Sequence, residues 1–304
     1  MSHDHDHDHA GSSRESKLLF ALALTVLTLL AEAVGGLWSG SLALLADAGH
    51  MLVDALALLL AFLGIWFARR PADARRSYGY ARLEVLAGFV NALTQFVLVG
   101  WIVFEAMQRL FEPRGILSGV MLVVAVAGLL VNALVLRMLH DHAGDDVNLA
   151  GASLHVFGDL LGSVGAVLAA LAVRWLDWLW ADPVLSLLVS VLILRSAWVL
   201  LRRSAHILLE GVPEGLQTGD IETALRDVDA GICDVHHLHV WQLASGSRMA
   251  TVHAQLREGA DGRGALLAIQ RLLRERYAIG HVTVQFDAGA CPDTQPGCAD
   301  HGRH

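Results

Sequence analysis

The chain has 304 residues, 55% hydrophobic and 17% charged, with a mean hydropathy of +0.50, the composition of a membrane protein. Its formal net charge of −8, from 30 acids against 22 bases, argues against nucleic acid as a partner, because phosphate binding requires a surplus of Lys and Arg. Cys233, Cys291 and Cys298 are too few and too late in the chain to form a disulfide framework, whereas 16 histidines is an unusual number.

Met1 to Lys17 opens with alternating His and Asp. This polar, acidic stretch lacks the basic-then-apolar order of a cleavable signal. It reads either as a disordered tail or as a weak metal-collecting arm.

Apolar segments begin at Leu18, and a bilayer-spanning helix needs about 20 such residues. Six are expected, over residues 18–38, 42–67, 83–111, 116–139, 149–174 and 179–201. Arg69, Arg70, Arg75, Arg76 and Arg82 separate the second from the third, and Arg202 and Arg203 follow the sixth. The positive-inside rule puts both clusters in the cytoplasm. An even number of spans then places both termini there, although Arg109, Arg114 and Arg174 near the outer turns weaken the asymmetry. His140 to Asp146 forms a second His/Asp patch that reads as a solvated loop. Glu32 and Glu105, within apolar segments, are expected to be structural rather than proton carriers.

Beyond Arg203 the charge rises, and about 100 residues remain, enough for one small domain. Helices are expected over 218–229 and 262–277, with strands at Val235–Gln242, Met249–Leu256 and His281–Asp287. Two helices on one face of a short sheet make a small α+β domain. Alternation buries Leu238, Val240, Val252, Ala254, Leu256, Val282, Val284 and Phe286. It gathers His237, His239, Trp241, His253, Gln285 and Asp287 on the opposite face.

Two spacings carry the chemistry. His50 and Asp54, and again His155 and Asp159, read H-x-x-x-D inside apolar segments. Residues four apart on a helix share a face, so each step aims an imidazole and a carboxylate the same way. Two such helices together supply two nitrogens and two oxygens, a tetrahedral set for zinc. A single step could equally be a helix–helix ion pair or a buried protonated Asp bonded to its own His. Two matching steps argue for a site, since an unpaired carboxylate at mid-bilayer costs about 2.5–3.5 kcal/mol. Asp47, one turn earlier, is expected to support the site or mark its entrance. Gly158, Gly162, Gly165, Ala166 and Ala169 in the fifth segment, and Ala48, Gly49 and Ala55 in the second, are small enough for close helix approach. Metal and protons compete for such ligands, so a site opened alternately to two sides exchanges one for the other, with His suited to the task near neutral pH.

The segments S-L-A-L-L-A-D-A-G-H-M-L-V-D, H-V-F-G-D-L-L-G-S-V-G-A, A-D-P-V-L-S-L-L-V-S-V-L-I-L-R-S-A-W and V-H-H-L-H-V-W resemble the cation diffusion facilitator family, particularly its bacterial zinc exporters. The resemblance runs over about residues 17–290. It implies a mainly α membrane protein, with six transmembrane helices over 18–203 and a cytoplasmic α+β ferredoxin-like domain over 204–288. It also implies a homodimer in the bacterial inner membrane that exports zinc against inward proton flow. The transport-site role falls on His50, Asp54, His155 and Asp159. Some members bind metal in the loop between the second and third helices. Asp73 stands at the acidic position there, but Arg76 and Tyr80 replace the imidazoles, which argues against that site. In the cytoplasmic domain the resemblance assigns a possible zinc site to His236, His253 and Asp287, with Gln285 in place of a His; alternation instead sets His237 and His239 beside His253. The 289–304 tail, with Cys291, Cys298, His301 and His304, is expected to be disordered, the alternative being that it adds thiolate ligands. A membrane zinc sensor acting through the cytoplasmic domain is the alternative function. An intramembrane metallohydrolase lacks H-E-x-x-H and a spare Glu for general base, so no enzyme is expected.

Overall fold

The structure, a computed structural model, describes residues 7–68, 73–140, 147–244 and 246–287; within these, the side chains of 7–22, 57–58, 61–62, 64–68, 138–140 and 147–157 lie outside the description. Six long helices come first: α1 (His7–Ser39), α2 (Leu42–Ala68), α3 (Arg82–Phe111), α4 (Ser118–His140), α5 (Val147–Leu176) and α6 (Ala181–Leu208). Among the described residues four helices are long and apolar enough to cross a membrane: Arg82–Phe111, Ser118–Arg137, Gly158–Leu176 and Ala181–Leu208.

Two boundaries differ from the hydropathy reading. α1 starts at His7, so the polar stretch ahead of Leu18 joins the helix. α6 continues through Arg202 and Arg203 to Leu208, because straight-chain Leu and Arg are good helix formers and no Gly or Pro interrupts before Gly211. The His140–Asp146 patch beyond His140, Arg69, Arg70 and the 289–304 tail lie outside the described residues.

The chain divides into two compact units, one of residues 1–58 and 91–199, the other of 59–90 and 200–304. In the first, Ala43 and Leu44 of α2 pack with Met121 and Ala125 of α4 and with Ala166, Ala169 and Ala170 of α5. Leu42 and Ala46 of α2 pack with Ile102 and Ala106 of α3. The extensive neighbour of α5 is α4, and two glycines expected to join α2 to α5, Gly49 and Gly165, meet other helices. A Cβ on Gly49 would meet Leu98 of α3 at 2.9 Å, and one on Gly165 would meet Leu185 of α6 at 2.6 Å.

The second unit carries α7 (Thr218–Arg226), β1 (Ile232–Ala244), β2 (Ser247–Leu256), α8 (Gly262–Tyr277) and β3 (Ile279–Asp287). The sheet order is β1-β2-β3, with β2 antiparallel to β1 and parallel to β3. The β2–α8–β3 passage is the helical crossover that a parallel pair needs. Asp261 caps α8 by accepting the Arg263 N–H, satisfying a donor that the first turn leaves open. Ile221 and Leu225 of α7 and Ala265, Ile269 and Leu273 of α8 bury Val235, Leu238, Val240, Ala250, Val252 and Ala254. One face of the sheet is therefore the domain core and the other is left for polar side chains.

Candidate metal sites

α2 holds His50 and Asp54 as the four-residue step predicts. His50 Nε2 lies 3.5 Å from Asp54 Oδ2, with side chains 17% and 24% exposed. The other carboxylate oxygen, Asp54 Oδ1, accepts from Gln95 Nε2 of α3 at 3.2 Å. Gln95 is buried, so this polar contact lies between two apolar helices and fixes the Asp54 carboxylate from outside its own helix.

One turn before His50, Asp47 is buried. Its Oδ1 lies 3.7 Å from where a Cβ on Gly162 of α5 would sit, an ordinary contact distance, so α5 comes close to Asp47 here. Glu32 of α1 lies within electrostatic range of Asp47. Glu32 is fully buried against α4, where a Cβ on Gly128 would fall 2.5 Å from Glu32 Oε1. Asp159 of α5, partly exposed, lies within electrostatic range of Asp47 and Glu32. α5 includes His155, whose side chain lies outside the described residues.

The end of α2 that leads into this site is fixed by α6. Asp182 is fully buried and accepts from Ser41 Oγ at 2.5 Å, Leu42 N at 2.8 Å and Ala43 N at 3.1 Å. A carboxylate on the first N–H groups of a helix satisfies orphan donors and meets the positive end of its dipole. Arg109 Nη1 stands 3.7 Å from Asp182 Oδ2 and donates to Gly40 O at 2.5 Å. Glu105 accepts from Arg109 at 3.0 Å and Arg114 at 2.9 Å. Glu105 is therefore part of an ion-pair network at the helix ends, the structural role expected of it.

A second cluster stands on the open face of the sheet. Among the described residues, His236, His253 and Asp287 are the group of three that could hold a metal, with ligand atoms all within 4.8 Å of one another. Asp287 Oδ2 is 3.0 Å from His236 Nε2 and 3.3 Å from His253 Nδ1. Gln285 Nε2 donates to its other oxygen at 3.0 Å. Burial pushes the Asp287 carboxyl up, but the Gln285 hydrogen bond and the His253 and His236 imidazoles outweigh it and hold it below the usual carboxylate range. His236 Nδ1 lies 3.0 Å from Asp234 Oδ2, the carboxylate–imidazole arrangement that orients a metal-binding ring from behind.

Strict alternation places His237 and His239, not His236, beside His253. The β1–β2 register breaks between His236 and His239, with His236 paired to His253 and His239 to Thr251. His237 sits in the break with φ +49. This bulge returns two consecutive imidazoles to the neighbourhood of His253: His237 stacks on it at 5.2 Å between ring centroids, and His236 lies 5.6 Å away.

The family comparison decides what these sites belong to. Residues 18–209 match the cation efflux transmembrane domain, and residues 213–288 match the cation efflux protein cytoplasmic domain. The chain belongs to the cation efflux family. Similar proteins of this family include a Zinc transporter ZitB of Pectobacterium atrosepticum, 45% identical over 99% of this chain and 93% of its own length. A "Cadmium, cobalt and zinc/H(+)-K(+) antiporter" of Bacillus subtilis is 36% identical over 90% of this chain and 89% of its own. Among solved structures, the metal-bound C-terminal domain of the CzcD transporter from Cuprividus metallidurans is 27% identical, covering 24% of this chain and 99% of that one, with a TM-score of 0.22.

In the α2–α3 loop of this cation efflux protein, Asp73 is committed to the turn. It accepts from the backbone N–H of Arg75 at 2.7 Å and of Arg76 at 2.8 Å, and from the Tyr80 hydroxyl at 3.0 Å. The Arg75 N–H and the Tyr80 hydroxyl hold its carboxyl below the usual range. Three contributors escaped the sequence reading: Gln95, Asp234 and Asp182. An amide in an apolar helix, a lone Asp before a His and an Asp at a helix start are each ordinary in sequence. Their partners lie on other elements or across a register shift, so only the fold connects them.

Proposed function

We propose that this chain exports divalent metal, zinc foremost, from the cytoplasm in exchange for protons, through one intramembrane site of His50, Asp54, His155 and Asp159. The observation that carries the reading is the way α2 meets α5. Ala43 and Leu44 pack in one cluster with Ala166, Ala169 and Ala170, and Asp47 meets Gly162. As α2 advances, α5 recedes, so the helices run antiparallel. An antiparallel register continued from that contact would set 159 level with 50 and 155 level with 54, which supports joining the two H-x-x-x-D steps in one site. The Gln95 hydrogen bond holds Asp54 in place as a ligand, and the names of the relatives, zinc transporter and metal/H(+) antiporter, accord with the exchange.

Zinc is the substrate here, bound by deprotonated imidazole and carboxylate. Protonation of the same four groups on the opposite side releases it, so metal and proton move in opposite directions without a separate proton path. Both basic clusters then face the cytoplasm with both termini, and six helices span the inner membrane. The cytoplasmic domain pairs two copies into a homodimer and binds zinc at His236, His253 and Asp287.

Reconstituted vesicles, acid inside and with zinc outside, test the reading. An outward proton gradient is expected to drive zinc inward in the wild type, and Asp54→Ala or Asp159→Ala to abolish it. Absence of gradient-driven zinc flux, or flux surviving both substitutions, overturns the transporter and leaves the zinc-sensor alternative.

A further inference from the structure

The residues that follow α2 and open α3 line a pocket of about 510 Å3 that neither proposed metal site uses. Its lining mixes two chemistries: the cations Arg75, Arg76 and Arg82, and the apolar Leu83, Leu86, Leu208 and Leu243. A single acid, Glu210, lines it and is paired with Arg82 at 2.5 Å. Arg76 leans on Tyr80, with its guanidinium carbon 4.6 Å from the ring centroid and Nη1 donating to the hydroxyl at 3.1 Å. The Arg75 side chain has no ion-pair partner among the described residues, and both Arg75 and Arg76 are exposed. The loop is fixed by Asp73 beneath it, so the two guanidinium groups start from an ordered backbone.

We infer that this pocket binds the phosphate of an anionic phospholipid, with the acyl chains along Leu83 and Leu86. The sequence along α3 gives the reason. The helix is a candidate span that begins at Arg82, so the arginines lie at the membrane's polar margin, and Leu86, one turn on and 45% exposed, lies where chains begin. A free anion would need only the arginines. The leucines in the lining supply what a lipid alone would use. Guanidinium groups recognise a phosphate diester by paired N–H donors, and basic pockets beside transmembrane helices are suited to lipid head groups. The volume is in the range of small-molecule pockets.

Native mass spectrometry of the full-length protein tests this, after incubation with equal concentrations of phosphatidylglycerol and phosphatidylcholine of identical chains. Phosphatidylglycerol is expected to be retained at least about fivefold over phosphatidylcholine. Arg75→Gln with Arg76→Gln brings the ratio close to one, while Arg202→Gln, an exposed arginine outside the lining, leaves it unchanged. Leu86→Gln, which keeps the arginines, lowers phosphatidylglycerol retention several-fold and reads the inference even if the double variant folds poorly. Millimolar inorganic phosphate or sn-glycerol 3-phosphate leaves the retained lipid in place. Equal retention of the two lipids, a preference that survives the double substitution, an equal loss in Arg202→Gln, or displacement by inorganic phosphate each overturns it.

Discussion

At the scale of single residues, the donors that hold a ligand matter as much as the ligand. Gln95 donates to Asp54 from another helix, so Gln95→Leu keeps the volume and removes only the hydrogen bond. Losing such a partner costs about 10–100-fold in metal affinity. The expected outcome is a zinc KM raised about tenfold in vesicle flux, with the protein still folded. His237 gives a different kind of prediction. Its φ of +49 is a conformation that a β-branched residue resists strongly, and residues held there cost about 1–3 kcal/mol. His237→Val is expected to destabilise the cytoplasmic domain by that order and, by straightening the bulge, to turn His236 away from His253; a thermal melt with and without zinc reads both. The i, i+4 step of His50 and Asp54 was fully legible, because helical geometry alone decides it. That His236 shares the neighbourhood of His253 with His237 was legible only through the family resemblance, because period-two alternation assumes an unbroken ladder and one extra residue reverses every side chain beyond it.

Among elements, the placement of α2 governs the proposed membrane site, and α2 is anchored by a residue far away in the chain. Asp182 takes the hydroxyl of Ser41 and two N–H groups at the start of α2 while facing Arg109. Asp182→Ala leaves the Ser41 hydroxyl and two helix N–H donors unsatisfied, while Arg109 keeps Glu105 as its partner. Leaving a buried donor unsatisfied costs about 1–3 kcal/mol, and the melting temperature in detergent is expected to fall accordingly. Asp182→Asn keeps one acceptor oxygen and a similar shape, so it should recover part of the loss; equal losses in the two variants would rule out the capping account. Hydropathy located the helices because each is a long apolar run. It could not foresee that α6 extends to Leu208 or that Gly49 faces Leu98 on α3, since a run of apolar or helix-forming residues carries no information about which neighbour each face meets.

On the scale of the whole molecule, the two candidate metal sites belong to different compact units: His50, Asp54 and Asp159 to one, His236, His253 and Asp287 to the other. They share no ligand, so their binding energies should add unless a change of conformation links them. A metal that binds only the folded state stabilises it by about 2.7 kcal/mol at a concentration one hundred times its Kd. Asp287→Ala is expected to remove one class of bound zinc and its share of thermal stabilisation. It also deletes the acceptor of Gln285 and the partner of both imidazoles, so the metal-free variant must be melted alongside. Asp54→Ala with Asp159→Ala should remove the other class. Equilibrium dialysis of the parent, each variant and the combination closes a thermodynamic cycle. Additive losses mean that the cytoplasmic zinc only stabilises its domain. If Asp287→Ala instead changes the affinity of the membrane site, reciprocity requires zinc in the membrane site to change the cytoplasmic affinity by the same factor. The cytoplasmic domain would then sense the metal level and set the transport affinity, and the combined variant would show a coupling term that neither single measurement contains.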